Sequence, residues 1–499
     1  MPQRALSSPP PCPADFNLAA YVLAAAKVTP DATALEIIGH DTVERWSYRE
    51  IEQAATQFAV RLRDGGLGSG DRILLRLSNR VEFPLAFLGA LMADCVPVPT
   101  SSQLTSLEIT ALTKQVNPEL IVSEPGIACP DPPPCPVIGF TADKNCAETQ
   151  GFTAVLGQPD RLGYIVFTSG MSGTPKGVCH AHRAIWARRM MWRDWYDLRP
   201  EDRVLHAGAF NWTYTLGTGL LDPWSVGATA LVTQPSVVPE DLPALIASHK
   251  VTIFAGAPGI YRKIANTDTT ITSPHLRHGL SAGEKLAPNI AQRWHDLSGC
   301  AVHEALGMSE ISTFVSGSPS RPAPPGTTGF AQTGRRIAVL DDTGAELPNG
   351  SAGELAVHRS DPGLMVSYLN QAPLTDEWFR TGDIVCQDHN GAVSYLGRVD
   401  DMLNAGGFRV SPIEVEAAFS SFDAIKDCGA ASVEIKPDTF VIALFYQATD
   451  QLDPSTLRTH AQDKLARYKQ PRLYIHCPDL PKGGNGKMNR KALPALYKA

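Results

Sequence analysis

A chain of 499 residues is long enough to bury a large core and to divide into more than one domain. Its hydrophobic fraction of 43% and charged fraction of 19% are typical of a globular enzyme, and a net charge of −7 does not favour non-specific nucleic-acid binding. No stretch reaches the roughly 18 uninterrupted apolar residues that a membrane-spanning helix needs. The ten cysteines contain no Cys-x-x-Cys pair, which favours free thiols in a reducing cytoplasm.

The first half of the chain alternates between strand-like and helix-like patterns. Residues 1–15 are rich in Pro and Ser and lack an apolar signal core, so we expect a disordered leader. Apolar residues at helical spacing predict helices over 16–26, 81–93, 184–195 and 242–249. Short apolar runs predict strands over 72–76, 95–99, 120–122, 164–167, 229–232 and 251–254. This alternation favours layered α/β subdomains with largely parallel sheets.

Residues 164–177 are the most informative segment, because an apolar strand leads directly into a loop of hydroxyl residues and glycines that ends near Lys176. Glycines let backbone N–H groups approach an anion closely, and successive N–H groups form an anion-binding concavity. A lysine adds a point charge suited to phosphate. The segment therefore predicts a polyphosphate site. It is not the common P-loop, because Pro175 stands where that pattern has its second glycine; a Gly/Ser surface loop is the alternative.

Cys179, His180 and His182 follow this loop closely in sequence. They lack further ligands at a suitable spacing, so a metal site is not favoured. We expect them to continue the phosphate loop into the next helix.

The composition changes again near residues 397–401, where two carboxylates suit an exposed linker. A Gly-Gly turn follows, and then come a predicted helix over 411–419, a strand over 439–446 and a helix over about 455–468. About 100 residues are enough for a small α+β domain. We therefore predict a large domain over 16–398 and a small one over 399–499, although a plain surface turn at 400–401 is the alternative.

Further segments carry residue types that suit nucleotide chemistry. Residues 304–310 end in Glu310, and a carboxylate beside a triphosphate is a plausible Mg²⁺ ligand. Asp383 follows Gly382, and an aspartate can accept two hydrogen bonds from a ribose diol that the glycine lets approach. Residues 406–414 and 481–487 add two glycine turns, the second ending at Lys487. In isolation these would be a solvated helix residue, plain turns and a solvated lysine.

Taken in order, these segments resemble the acyl-adenylate-forming family, which includes acyl-CoA synthetases, peptide-synthetase adenylation domains and firefly luciferases. The resemblance covers about residues 16–495. It departs from the usual family pattern at Met171, Ser309, Gly483 and Asn485. It implies an α/β fold with a large N-terminal domain of layered α/β subdomains and a small, mobile α+β C-terminal domain that turns about a hinge at Asp400.

The resemblance also implies residue roles. Lys487 and Glu310 are the expected catalytic residues, and Glu310 is expected to hold Mg²⁺. The residues expected to bind ATP or coenzyme A are Thr168, Ser169, Gly170, Ser172, Gly173, Thr174, Lys176, Gly283, Glu304, Ser309, Asp383, Arg398, Gly407 and Arg409. The residues expected to form an aromatic-lined acyl pocket are Phe210, Trp212, Tyr214, Tyr261 and Gly307.

The implied activity is that of an AMP-forming acyl-CoA ligase. A small-molecule carboxylate attacks the α-phosphorus of ATP, pyrophosphate leaves, the small domain turns, and the thiol of coenzyme A attacks the acyl-adenylate. The chain resembles benzoate-type and medium-chain acyl-CoA ligases more than acetate enzymes, so an aryl or medium-chain acid is favoured over short branched acids. The alternatives are a stand-alone enzyme that loads a carrier protein, a luciferase-type oxygenase and a non-catalytic nucleotide sensor. The sequence leaves a monomer and a homodimer equally open.

Overall fold

The computed structural model describes residues 10–144, 151–168, 175–405, 408–436, 439–465, 467–483 and 487–497. Within these residues the strands, β1 to β25 in chain order, are Thr33–Ile38, Val43–Ser47, Arg72–Arg76, Val96–Pro99, Leu120–Ser123, Val137–Gly139, Leu162–Thr168, Lys176–Ala181, Arg203–His206, Thr229–Thr233, Ile253–Gly256, His278–Ala282, Val302–Met308, Ser312–Ser316, Gly329–Ala331, Ile337–Leu340, Ala352–His358, Ser367–Tyr368, Trp378–Gln387, Ala392–Arg398, Leu403–Ala405, Phe408–Val410, Asp427–Lys436, Thr439–Gln447 and Leu473–His476. The α-helices, α1 to α13, are Leu18–Val22, Tyr48–Asp64, Glu82–Met92, Ser106–Val116, Ala184–Ala187, Arg189–Met191, Thr213–Leu216, Asp222–Val226, Leu242–Ser248, Pro258–Ala265, Pro288–Ser298, Pro412–Phe419 and Pro454–Lys464.

The largest sheet contains thirteen of these strands, in the order β16-β17-β19-β20-β15-β14-β13-β12-β11-β9-β10-β1-β2. Six neighbouring strands of this sheet pair in parallel: β13, β12, β11, β9, β10 and β1. The six strands on the other side of β13 pair antiparallel. A second sheet, β4-β3-β5-β6, is parallel throughout. The predicted α/β class is confirmed, and the carboxyl ends of the parallel strands bring several loops to one edge, where ligands bind in open α/β sheets.

Residues 162–168 and 176–181 form two paired strands, so a second strand stands between the predicted phosphate loop and the next helix, α5. β7 pairs antiparallel with β8, and β18 pairs with the other side of β8. The prediction that Cys179, His180 and His182 lead the loop into a helix was wrong, because the first two lie within β8. Every residue of β8 from Gly177 to Ala181 is buried. Because water cannot reach their backbone N–H and C=O groups, pairing with a strand on each side supplies the hydrogen bonds.

Two predicted helices are interrupted in the structure. The segment 16–26 contains the short helix α1, capped by the Asn17 side chain, and then a 3₁₀ turn at Ala24–Lys27. The segment 184–195 divides into α5, α6 and a π-helical turn at Trp192–Tyr196. Met191, Trp195 and Tyr196 are all buried, so their packing overrides the regular winding that the sequence pattern favours. Residues 1–9 of the predicted leader lie outside the described residues.

The C-terminal residues form a small α+β unit with its own apolar clusters. Its sheet has the order β23-β24-β25. One face of the sheet packs on α12 and α13 through Val415, Phe419 and Leu457, and the other face packs on Leu493. The domain boundary after residue 398 and the rotation about Asp400 stay predictions. Among the described helices, none combines the length and apolar character that crossing a membrane requires.

Five buried histidines make stability depend on pH. Burial lowers the pKa of His182, His206 and His278 to about 3 and the pKa of His180 and His303 to about 4. In the unfolded chain a histidine titrates near pH ~6.5, so below that pH the unfolded state binds more protons than the folded one.

We therefore expect the free energy of unfolding to fall as the pH drops from about 6.5 towards about 4, by up to about 1.4 kcal/mol per pH unit for each histidine. Urea unfolding measured from about pH 7.5 to about pH 5 gives this slope. A profile that stays flat in this interval would contradict the neutral, buried state of these rings.

Candidate active site

The predicted phosphate loop joins β7 to β8 in the sequence, and the residues that flank it are paired with each other. Thr168, the last residue of β7, stands opposite Lys176, the first residue of β8. The Lys176 ammonium lies 5.1 Å from the centroid of the Tyr368 ring, within the range of a cation–π interaction. Ser169, Gly170, Ser172, Gly173 and Thr174 lie outside the described residues.

Glu310 lies in the turn that joins β13 to β14. The residue is only 7% exposed, and its Oε1 accepts a hydrogen bond from the hydroxyl of Tyr368 at 2.8 Å. The Met365 N–H donates to its carbonyl oxygen at 2.8 Å. One contact fixes the carboxylate of Glu310 and the other fixes its backbone, so the residue is held in one position.

The same turn is held from a second side by His180 of β8. Its Nε2 lies 2.7 Å from the carbonyl oxygen of Ser309. Burial lowers the pKa of His180 to about 4, so the ring is neutral and the proton is assigned to Nε2, which faces an acceptor. This contact ties β8, the strand after the predicted phosphate loop, to the turn that carries Glu310.

Gly307 explains how β13 and β14 approach each other next to this turn. A Cβ atom at Gly307 would lie 2.5 Å from the carbonyl oxygen of Ser312. Only glycine allows that approach without a shift of the backbone.

Asp383 and Arg398 face each other across β19 and β20. Arg398 Nη1 donates to Asp383 Oδ1 at 2.9 Å, and the Tyr395 hydroxyl donates to the same oxygen at 3.3 Å. Burial raises the pKa of Asp383, while Arg398, Tyr395 and the charge of Lys487 oppose that rise. Gly382 has a φ of +74° and would place a Cβ 2.7 Å from Arg398 Nη2, so a glycine is required before the aspartate.

Lys487 lies close to two carboxyl groups of the large-sheet region, those of Glu284 and Asp383. Burial by the surrounding protein lowers its pKa although solvent still reaches the residue, and the charges of Glu284 and Asp383 oppose that shift. Three residues further on, Arg490 is anchored to Glu416 at 2.6 Å. The structure therefore brings Lys487 and Asp383 to the same place from segments about 100 residues apart.

A second contact connects the C-terminal unit to the large sheet region. Arg262 Nη1 of α10 lies 3.7 Å from Asp427 Oδ2 of β23, and Lys482 Nζ lies 2.8 Å from that same oxygen. Glu284 is close to this group, and burial raises its pKa while Arg262 and Lys487 oppose the rise. The C-terminal unit is thus held with Lys487 facing the site.

Gly283 follows the carboxyl end of β12, and Glu304, the third residue of β13, pairs with Ser281 near that end. Glu304 Oε2 lies 3.0 Å from Lys285 Nζ, and burial raises the pKa of Glu304 against the opposing charge of Lys285. Gly283 is exposed and has a φ of +102°, a conformation that glycine adopts freely. Their predicted contacts with the nucleotide stay predictions.

The five residues predicted for the acyl pocket separate into two groups. Trp212 is exposed and Tyr214 is partly exposed, and the Tyr214 hydroxyl donates to the Leu280 carbonyl at 3.1 Å. Gly307 also retains accessible surface. Phe210 is buried and stacks on Phe83 with ring centroids 5.0 Å apart.

Tyr261 has core contacts instead of a pocket wall, and its prediction is corrected here. The side chain is fully buried, its ring packs on Trp294, and its hydroxyl donates to the carbonyl of Leu280 at 2.9 Å. The physical reason is that α10 turns this residue towards the apolar cluster beneath the sheet. Gly407 lies outside the described residues, and the structure does not describe the side chains of Asp400 and Arg409.

The sequence analysis did not single out Tyr368, Tyr395 or Glu284, and it expected His180 only to continue the phosphate loop into the next helix, with a metal site not favoured. No local pattern marks Tyr368 or Glu284, because their neighbours come from distant parts of the chain. Tyr395 lies three residues before Arg398, a spacing that strand alternation assigns to opposite faces. The register shift in the β19–β20 pairing, where Ile384 pairs with Gly397 and Val385 with Tyr395, brings both side chains to Asp383.

Comparisons with known proteins identify the family of this chain. The AMP-binding enzyme family matches residues 22–369. A benzoate–CoA ligase from Thauera aromatica is 30% identical over 90% of this chain and 90% of its own length. A mitochondrial acyl-coenzyme A synthetase from Rattus norvegicus is 28% identical over 97% of this chain and 92% of its own length.

Solved structures show the same fold. Crystal structures of a benzoate CoA ligase from Burkholderia xenovorans superpose with a TM-score of 0.84 and 28% identity, over 96% of this chain and 100% of that one. Both the sequence match and the fold extend over nearly the whole chain. This protein belongs to the AMP-binding enzyme family, whose members are acyl-adenylate-forming enzymes.

Proposed function

We propose that this protein is an acid–thiol ligase that converts an aromatic carboxylic acid to its CoA thioester through an acyl-adenylate, with release of AMP and pyrophosphate. Family membership gives the reaction class, with ATP and coenzyme A as substrates. The observation that carries the proposal is the convergence of Asp383, Arg398 and Lys487 at the site that Glu310 and Lys176 border. Four segments far apart in the chain supply these groups.

Each of these residues has a role that follows from its chemical group. Asp383 is buried beside Arg398, and its carboxyl oxygens can accept hydrogen bonds from the two hydroxyl groups of a ribose. Lys176 and the predicted phosphate loop hold the distal phosphates. Lys487 offsets the negative charge that grows on the phosphate oxygens as the substrate carboxylate attacks, since catalysis of this transfer is mainly positioning and electrostatic stabilisation.

Glu310 fits the predicted role of Mg²⁺ ligand. Mg²⁺ prefers one or two carboxylate oxygens together with phosphate oxygens and water, and the Tyr368 hydroxyl engages only Oε1 of Glu310. Among the described residues no group of three or more His, Cys, Asp or Glu could hold a metal ion, which suits an ion that arrives with ATP. A bound Mg²⁺ would neutralise phosphate charge.

The aromatic layers behind the candidate acyl pocket support an aromatic acid over a medium-chain one. Tyr214 stacks on Trp195 at 5.8 Å and packs against the edge of His206 at 4.4 Å. Both neighbours are buried, so the wall behind Tyr214 is closed by rigid side chains. A flat ring fits such a wall with little loss of conformational freedom, whereas a flexible chain has to be ordered. The benzoate–CoA ligase relatives are consistent with this proposal.

A panel of acids tests the proposal directly. Purified protein is incubated with ATP, coenzyme A and either benzoate, a hydroxybenzoate, hexanoate or octanoate, and both AMP and the thioester mass are measured. We expect the benzoates to react best. Thioester formation on a phosphopantetheinylated carrier but not on coenzyme A would favour carrier loading, and ATP binding without pyrophosphate release would favour a nucleotide sensor. A monomeric or dimeric state and a cytoplasmic location stay predictions.

Tyr214→Ala provides a sharper test of the wall. Removing this ring is expected to raise kcat/KM for octanoate relative to benzoate by about 10- to 100-fold, since differences of a few methylenes in an apolar pocket are worth about 1–3 kcal/mol. Tyr214→Phe keeps the ring and is the matched control. Unchanged selectivity in Tyr214→Ala would remove Tyr214 from the pocket.

A further inference from the structure

We propose that Tyr368 is a positioning residue that fixes Glu310 and Lys176 relative to each other and thereby tunes the site for the Mg²⁺-loaded form of ATP. This inference rests on the proposed function, because it assumes that ATP and Mg²⁺ bind between these groups. Tyr368 does not itself contact the reacting atoms in this proposal.

One side chain makes both contacts. The Tyr368 hydroxyl donates to Glu310 Oε1 at 2.8 Å, and the face of its ring lies 5.1 Å from the Lys176 ammonium. A hydrogen bond to a charged acceptor is stronger than one between neutral groups, and a cation over a tyrosine ring gains a further attraction. Tyr368 therefore connects the two charged groups: its hydroxyl contacts the Glu310 carboxylate, and the face of its ring contacts the Lys176 ammonium.

The backbone around Tyr368 leaves little freedom for this bridge to shift. β18 pairs with β8, the Leu369 N–H donates to the Gly177 carbonyl at 2.7 Å, and the Val366 N–H donates to the Cys179 carbonyl at 2.8 Å. These bonds attach the segment 365–369 to the strand that begins with Lys176. At its other end, the Met365 N–H holds the Glu310 carbonyl.

The hydroxyl of Tyr368 donates to Oε1 of a carboxylate that is nearly buried. Without the hydroxyl, Oε1 of a nearly buried carboxylate would lose its donor, and the Glu310 side chain could turn away from the phosphates. The other oxygen, which the hydroxyl does not engage, is the one that remains available to a metal ion.

There is open space beside the bridge. A cavity of about 240 Å³ is lined by Lys176, Gly177 and Tyr368, among others. Among the described residues its lining includes Gln115 and Gln371 but not Glu310, so this space borders the Lys176 side of the ring. Tyr368 acts as one wall of this space and as the support of Glu310.

Tyr368→Phe separates the hydroxyl from the ring. ATP binding is measured by calorimetry with Mg²⁺ and with Mg²⁺ removed by chelation, and the Mg²⁺ dependence of pyrophosphate exchange is recorded alongside. We expect affinity for Mg²⁺-loaded ATP to fall about tenfold, with a similar shift in the Mg²⁺ requirement, and affinity for Mg²⁺-free ATP to change less than about twofold. Tyr368→Leu also removes the ring, and should weaken both forms because Lys176 loses its support.

Tyr48→Phe is the matched control, since it removes a buried hydroxyl that donates to the Ala228 carbonyl at 2.7 Å, far along the chain from Glu310. It should bind both forms of ATP as the unmodified protein does. Unchanged affinity of Tyr368→Phe for Mg²⁺-loaded ATP, or an equal loss for both forms in a variant with an unshifted unfolding temperature, would overturn the proposal. If Tyr368→Phe does not fold, 4-aminophenylalanine incorporated at position 368, which retains the ring and a donor at the para position, must preserve the Mg²⁺ preference. Failure of the unmodified protein to bind ATP at all would instead refute the proposed function.

Discussion

Replacing Lys487 with alanine is expected to slow formation of the acyl-adenylate by about 100- to 1,000-fold, the range for losing one preorganised group that stabilises transition-state charge. The structure supports a specific effect because Lys487 lies beside Asp383 and Glu284, in a C-terminal unit anchored through Arg490 to Glu416. Pyrophosphate exchange measures this first half-reaction. Formation of the thioester from supplied acyl-adenylate measures the second, and there we expect less than a twofold change, because the predicted rotation of the small domain takes the lysine out of the site before the thiol attacks.

Lys491→Ala is the control for Lys487→Ala. Lys491 lies four residues further along the same C-terminal segment, and its side chain is exposed. It should leave the first half-reaction within about threefold of normal, since an exposed substitution away from buried contacts has a small effect. Equal losses in both half-reactions of Lys487→Ala would contradict the rotation of the small domain.

Removing the carboxylate of Asp222 is expected to lower the free energy of unfolding by about 3–5 kcal/mol. Arg188 Nη2 lies 2.6 Å from Asp222 Oδ2, and both side chains are almost completely buried. Tyr196 donates to the same carboxylate at 2.7 Å. Asp222→Ala would leave a guanidinium in the core without its counter-charge, and this loss is much larger than that of a surface pair. Urea unfolding monitored by circular dichroism gives the change.

The comparison variant is Asp31→Ala, which removes an exposed ion pair with Arg49 at 3.1 Å and should cost at most about 1 kcal/mol. The double variant Arg188→Leu with Asp222→Leu removes both charges and should recover part of the loss. A similar cost for Asp222→Ala and Asp31→Ala would show that the buried pair does not stabilise the fold.

The Arg188–Asp222 ion pair also supports the segment that carries two residues of the predicted acyl pocket. Asp222 begins α8, which follows the π-helical turn at Gly217–Leu221 and α7, while Arg188 separates α5 from α6. A Cβ at Gly217 would lie 2.2 Å from the Arg188 guanidinium carbon, so this glycine is required for the pair to form. The ion pair therefore holds the helical segment that presents Trp212 and Tyr214 against the rest of the fold.

Local sequence patterns were sufficient for much of the fold. The run at 72–76 became β3 with the predicted bounds, and the apolar segment at 81–93 became α3, buried at every residue from Phe83 to Met92. The alternation of these elements identified the α/β class. The glycine-rich and acidic segments identified the family, because each is a local motif of a turn with one chemical group and the motifs occur in the family's order.

Long-range packing accounts for what the sequence did not reveal. Tyr368 meets Glu310 from 58 residues away, and it does so only because β18 pairs with β8. The orientation of α10 puts Tyr261 in the core, whereas its aromatic character alone suited a pocket equally well. Periodicity and turn chemistry are properties of neighbouring residues and can be read along the chain. Which side chains meet across strands depends on pairing and burial of the whole chain, and no local pattern contains that information.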